Sequence, residues 1–326
     1  MPSTRTKNKI GKIINKFLSF FGIAVHTLPK NNCSDSKKTN DEINRLLNEL
    51  KIYKTLFPPG HFYSPIPDIA EIKAREDEIY GNLPKEIPGI DLNVDGQLAL
   101  LEKLSAYYPE LPFGDNKKAG TRYYYKNPAF PYGDAIALYS MIRYLKPRKI
   151  IEVGSGYSSC VTLDTNEKFF NNGISIIFIE PYPDLLKSLI TKGDKDRVEI
   201  IKKNLQEVEI DKFRELNSGD ILFIDSTHVS KINSDVNYIF SQILPAIKSG
   251  VIIHFHDIFY PFEYPKEWIY EGRAWNEGYM FRAFMQYNQN FKILFFNDYL
   301  AKIHKNQFKK MPLWLKDSGS LWIKKI

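Results

Sequence analysis

Two stretches hold most of the chemistry this 326-residue chain offers: Glu152-Val-Gly154-Ser-Gly156-Tyr-Ser-Ser159, and Asp225-Ser-Thr-His228 taken with His254-Phe-His256-Asp257. In the first, glycines two apart after an apolar run allow a tight turn and let a ligand approach the main chain, and a helix beginning there offers free N–H groups. Glu152 is placed to face an ammonium group. Glu180 ends the next apolar run, where its carboxylate can accept from both hydroxyls of a ribose; a glycine loop plus an acid at the following strand end makes a mononucleotide half-site. A dinucleotide loop wants a third glycine at position 159, and the residue there is Ser159. The second stretch gathers two carboxylates and up to three imidazoles, a set that suits either a hard divalent cation or acid–base chemistry near neutral pH. Each member also has a plain structural role: an aspartate at a strand end caps a helix, and a histidine inside a strand, such as His254, is a core residue.

These residues sit at the ends of apolar runs. Candidate strands are KIIEVG (149–154), ISIIFIE (174–180), VEIIK (198–202), DILFID (220–225), GVIIHFHD (250–257), FKILFF (291–296) and SLWIKK (320–325), the first five regularly separated by helical segments. That rhythm predicts an α/β fold with a doubly wound, Rossmann-like, mostly parallel sheet of seven strands. In such a sheet the strand tips share the carboxyl edge, so Asp225, His228, His256 and Asp257 fall in the crevice beside the glycine loop. The aromatic insertion after the fifth strand, with Arg273, Trp275 and Glu277, reads either as a wall of an acceptor site or as a supporting loop. The same pair of readings applies to Gly60–Pro65 and Tyr123–Asn127, as covers for a cofactor or as packing.

Upstream, Ile10, Ile13, Ile14, Phe17, Leu18 and Phe21 recur at helical spacing opposite Lys9, Lys12 and Lys16. This predicts a basic amphipathic helix over 9–22 that either touches an anionic membrane surface or packs on the protein. The expected organisation is this helix in 1–30, a helical cap and linker in 31–118, and a cofactor-binding domain in 119–326. Residues 1–31 and 301–326 each hold +6 of the formal charge, leaving −5 on 32–300 out of a total of +7. A nucleic-acid protein puts its positive stripe on the working face, so that class is disfavoured. A 43% apolar composition excludes a wholly disordered chain, and the longest near-apolar run, Phe17–Val25, is half of the roughly 20 residues that a spanning helix needs. Two distant cysteines offer neither a disulfide framework nor a metal site and fit a cytoplasmic setting, with the inner membrane face as a peripheral location.

The acid-x-Gly-x-Gly after the first strand and the acid ending the second resemble the class I S-adenosylmethionine-dependent methyltransferases. The resemblance implies that Gly154 and Gly156 line the amino-acid and ribose part of the cofactor, that Glu152 lies near its methionine end, that Glu180 holds the ribose, and that Asn204 meets the adenine. The Asp225/His228/Asp257 pattern is similar to the branch containing catechol and macrolide-sugar O-methyltransferases. By that likeness Asp225 and Asp257 hold Mg2+ and His228 is the general base, while His256 either completes the site or orients the substrate; Ile258 stands where the catechol enzyme has a further Asn ligand. The longer string from GHFYSP to HFHDIFYPFEYP resembles a group of uncharacterised bacterial methyltransferases often associated with surface-polysaccharide assembly, which implies a small-molecule or glycan acceptor, a sugar above all. The expectation is thus an O-methyltransferase, with a nicotinamide-linked oxidoreductase and a non-catalytic membrane-associated binding protein as alternatives, and with no oligomeric state indicated.

Overall fold

A computed structural model of the chain describes residues 42–45 and 56–326. The chain divides into two compact units, 1–64 and 65–326. In the first, residues 42–45 are helical, and Phe57, His61, Phe62 and Tyr63 form a local ring cluster over a run of turns. The helix expected over 9–22, the linker after it and Cys33 lie outside the described residues. Among those described, no helix is long and apolar enough to cross a membrane.

The second unit is built on seven strands: β1 (Lys149–Val153), β2 (Ser175–Ile179), β3 (Glu199–Ile201), β4 (Ile221–Ile224), β5 (Ile252–Phe255), β6 (Phe291–Phe296) and β7 (Leu321–Lys325). Their spatial order is β3-β2-β1-β4-β5-β7-β6. Neighbours pair parallel from β3 to β5, whereas β7 runs antiparallel to both β5 and β6. The expected strands are all present, each matching the sequence reading to within about two residues at either end. Central strands read as unbroken apolar runs because both faces are covered: Ile150, Ile151, Val153, Ile221, Leu222, Phe223 and Ile224 are all buried. Helix Tyr132–Leu145 is buried along most of its length, and it packs beside helix Tyr157–Phe170, which follows the glycine loop.

Residues 65–118 belong to the same compact unit as the sheet. Helix Val94–Ser105 lies on β6, and buried Gln97 joins two segments by donating to the Leu92 carbonyl and accepting from the Phe296 N–H. Burial of a polar side chain is tolerated here because both ends of the amide are paired.

Arg122 fixes the approach to the sheet. Its guanidinium is shared among Asp164 at 2.7 Å, Asp194 at 2.5 and 2.7 Å, and Glu167 at 2.7 Å, while the Arg122 and Tyr123 N–H groups donate to Asp164 at 2.9 Å. Asp164 and Asp194 are buried, so removing the cation strands two carboxylates in low dielectric. We expect Arg122→Ala to lose about 3–5 kcal/mol of unfolding free energy in urea titrations, the range for breaking a buried pair; a loss below about 1 kcal/mol, typical of exposed pairs, would show that solvent screens the cluster.

Candidate active site

The order β3-β2-β1-β4-β5 reverses direction between β1 and β4, and ligands of open α/β sheets bind at such a point, outside the carboxyl ends of the strands. There the main chain is drawn tight. The Asp225 N–H donates to the Val153 carbonyl at 2.9 Å and the Gly154 N–H to that of Ile179 at 3.0 Å. Gly154 has φ +78°, and a Cβ on it would stand 1.7 Å from the Asp225 carbonyl oxygen, so only glycine fits. Gly156 is different: its φ of 177° lies outside the left-handed region, and a Cβ would meet only Leu185, at 3.5 Å.

A cavity of about 160 Å³ opens beside this loop, lined by Phe130, Gly154, Ser155, Gly156, Glu180 and Asp225 among others. It is smaller than the roughly 300–1,000 Å³ of a whole ligand cleft, and suits the part of a ligand that lies against main chain. Glu180 accepts from the Ser155 N–H at 3.1 Å and the Tyr182 N–H at 2.8 Å, which ties the acid after β2 to the glycine loop. Glu152 is buried behind the loop, and its Oε1 accepts from the Ser158 and Ser159 hydroxyls, both at 2.7 Å. Burial pushes its carboxyl up to about 8. Ser159 also accepts from the Gly156 N–H at 3.1 Å, so its hydroxyl braces the loop where a dinucleotide site would have bare glycine. Glu152 Oε2 and Ser155 Oγ are buried without a hydrogen-bond partner among the described residues. Ser155 lines the cavity, so its unpaired hydroxyl fits a ligand bearing polar groups, whereas Glu152 stands behind the loop and does not line it.

The tips of β4 and β5 meet next to this cavity. His228, at φ +59°, directs Nε2 to Asp225 at 3.4 Å and to Asp257 at 3.6 Å, while its Nδ1 lies 2.9 Å from Glu277 Oε2. His256 Nε2 is 3.4 Å from the other oxygen of Asp257. Burial disfavours a charged ring at His228, but its contacts with Asp225 and Glu277 and the charge of Asp257 outweigh that and hold its pKa well above the usual value. Burial likewise opposes ionisation of Asp225, yet the neighbouring His256 and His228 rings pull its carboxyl down to about 2. His254 is a core residue, as its place inside a strand suggests. It lies flat on Phe223 at 3.9 Å and edge-on to Trp322, and burial keeps it neutral with neither ring nitrogen hydrogen-bonded among the described residues.

The residues expected to hold Mg2+, namely Asp225, Asp257 and His256, do not fit that role. The His228 ring nitrogen approaches both carboxylates, His256 serves the remaining Asp257 oxygen, and no group of three or more His, Cys, Asp or Glu among the described residues has a metal-holding arrangement. Asn204 also stands apart: it is exposed, donates its amide to Glu207 at 2.9 Å and does not line the cavity. The insertion after β5 does come to the site, since Trp275 covers the His228 ring at 4.5 Å and packs against Trp268 at 5.2 Å. Arg273 lies over Trp268 at 4.3 Å. Tyr123 and Tyr125, by contrast, are core residues. Two contributions carry no motif of their own: the Ser158/Ser159 support of Glu152, and Glu277, which lies 49 positions from His228.

The two glycines are separable by stability. Gly154→Ala should unfold at markedly lower denaturant concentration than Gly156→Ala, because a methyl group on Gly154 collides with main chain whereas one on Gly156 has space around it. Equal losses would refute the geometric distinction. For Glu152, a folded-state pKa of about 8 against the usual 4.5 means that the native protein holds a proton the unfolded chain releases, so this carboxyl's contribution to stability falls as pH rises between those values. Glu152→Gln has no such proton. The stability difference between wild type and variant should therefore shift in the variant's favour from pH 5 to pH 8, and a flat difference would contradict the raised pKa.

Comparison with known proteins agrees with this geometry. The sequence model of a family described as "Methyltransferase domain" matches residues 151–258, the span from β1 to just beyond β5. An uncharacterized protein of Archaeoglobus fulgidus is 40% identical over 173 residues, covering 51% of this chain and 76% of that protein. Among solved structures, the Podospora anserina methyltransferase PaMTH1 with bound S-adenosylhomocysteine is 16% identical at a TM-score of 0.41, covering 81% of this chain and all of that one. The O-methyltransferase TomG from Streptomyces achromogenes, in complex with S-adenosylmethionine, is 11% identical at 0.38, with 78% and 96% covered. These two likenesses are too distant to bear on the chemistry. The chain belongs to the family of the archaeal protein, and the part of the sheet from β1 to β5, which carries its glycine loop, matches a methyltransferase domain.

Proposed function

We propose that the protein is an O-methyltransferase acting on a hydroxyl of a small molecule or glycan, with a sugar as the acceptor and His228 as the general base. One observation carries this reading: at the carboxyl edge, beside the glycine loop, a buried imidazole keeps one nitrogen against Glu277 and turns the other toward two carboxylates. A hydroxyl is a poor nucleophile until its proton leaves, and Nε2 is the group here that can take it once the ring is neutral, so transfer should rise with pH through the raised pKa of His228. Asp225 and Asp257 then stabilise the imidazolium that results and accept hydrogen bonds from neighbouring hydroxyls of the acceptor. The Trp268 and Trp275 faces suit the apolar side of a sugar ring.

S-adenosylmethionine supplies a methyl group on a sulfonium, whose in-line displacement needs alignment more than covalent help. Gly154 and Gly156 offer main chain to it, Glu180 suits its ribose hydroxyls, and its ammonium group, on nearing the unpaired oxygen of Glu152, would draw off the proton that burial favours there. No cation is required in this reading, so the protein should work in EDTA.

Calorimetry with S-adenosylhomocysteine in EDTA, followed by transfer of radiolabelled methyl to a panel of monosaccharides and nucleotide sugars, tests the proposal. Wild type should bind the ligand and label a sugar. His228→Ala should lose about 10²–10⁴-fold in transfer, the usual worth of a general base, with ligand affinity nearly intact. Gly156→Ala should fold normally yet bind the ligand more weakly. Ligand binding without transfer to any sugar or phenol would favour a non-catalytic binding protein, and unchanged turnover in His228→Ala would remove the base.

A further inference from the structure

We infer that Glu277 is the positioning residue for His228, and that the segment bearing it, rather than β4 alone, decides which imidazole nitrogen faces the acceptor. The inference rests on reading His228 as the base. His228 follows β4 in a left-handed backbone conformation that is unfavourable for a non-glycine residue, so something must hold it there.

The hold comes from residues 275–277. The His228 carbonyl accepts from both the Asn276 and Glu277 N–H groups at 3.1 Å. Asn276 is bound in both directions to Ser230, accepting from its N–H at 2.6 Å and donating to its carbonyl at 3.2 Å. Trp275 covers the ring, and the Tyr264 hydroxyl accepts from the Gly278 N–H at 3.0 Å, which fixes the start of helix Glu277–Met285. Residues 228–230 are therefore clasped by a segment nearly 50 positions away. Inside the clasp the Glu277 side chain is buried, with Oε2 at 2.9 Å from Nδ1 and Oε1 unpaired among the described residues.

An ionised carboxylate only accepts hydrogen bonds, so a proton on Nδ1 is the complementary arrangement. Nδ1 then keeps that proton whether the ring is charged or neutral, and Nε2, facing Asp225 and Asp257, is the nitrogen that exchanges one with a hydroxyl. Without Glu277, a neutral ring is free to place its single proton on Nε2, where it cannot act as a base. This is a directional role, and it differs from packing because it selects a tautomer.

The tautomer can be read without knowing the acceptor. In protein labelled with ¹⁵N-histidine, two-dimensional ¹H–¹⁵N spectra at alkaline pH, where the ring is neutral, should show His228 protonated on Nδ1 with a strongly downfield, hydrogen-bonded proton; His228→Ala identifies the signals by their loss. Glu277→Gln keeps an acceptor oxygen, and the Nδ1 proton should remain but move upfield. Glu277→Leu keeps the bulk without an acceptor, and the ring should shift toward the Nε2–H form. If the leucine variant does not fold, as judged by its thermal transition and S-adenosylhomocysteine binding, the upfield shift in the glutamine variant decides. An Nε2–H ring in wild type, or an Nδ1 signal unmoved by either substitution, overturns the inference. Failure of wild type to bind S-adenosylhomocysteine would instead strike the proposed function and leave the tautomer result standing. Once an acceptor is in hand, Glu277→Gln should lower kcat at least about tenfold with little change in KM for the cofactor, and should cost nothing further in a His228→Ala background.

Discussion

No side chain fits between Gly154 and the carbonyl of Asp225. That closeness joins the two halves of the site. The glycine loop turns directly above the end of β1, the Asp225 N–H reaches back to β1, and whatever the loop holds must lie beside the carboxylate that heads β4. Strand pairing sets the distance. Because β1 and β4 are neighbours at the point where the strand order reverses, their parallel register places the loop and the first acid of the chemical cluster at the same height. Helix Tyr157–Phe170 is then held by Arg122 through Asp164, so the loop is anchored on its far side as well.

The electrostatics of the carboxyl edge follow from crowding. Asp225, Asp257 and Glu277 surround the His228 ring, His256 adds a second ring, and burial penalises charge at every one of these groups. Ring nitrogens and carboxylates thus meet each other's needs within the protein, where a metal ion would otherwise be the natural partner of two acids at strand tips.

Much of this was legible in the sequence, and the parts that were not have a common cause. Strands of β-branched and aromatic residues at regular spacing announced themselves, and with them the positions of Glu152, Gly154, Gly156, Glu180, Asp225, His228 and Asp257, because strand ends map directly onto the carboxyl edge. Ser159 read as a missing glycine, although its hydroxyl bridges Gly156 and Glu152, a role that only three-dimensional proximity displays. The Asp225/His228/Asp257 spacing is equally compatible with a cation between the acids or with the ring there; the pattern has no term for where an imidazole points. Asn204 was placed by its position after β3, but its amide turns to Glu207. Glu277 was noted only as part of an aromatic insertion, since its partner lies 49 residues upstream and no periodicity links them.

The antiparallel strand β7 lies between β5 and β6 although it follows both in the chain. During synthesis, β6 emerges with no neighbour to pair with, and β5 has one bare side, until β7 inserts between them. The linker ahead of β7 matters as well: the Gly319 N–H donates to buried Asp134, and its carbonyl accepts from the Ile258 N–H just past Asp257. The tip of β5, with His256 and Asp257, thus gains its final support from the last part of the sheet to leave the ribosome. A nascent chain can therefore pair β1 through β5 early, yet the tip of β5 lacks its Gly319 contacts until β7 closes the sheet.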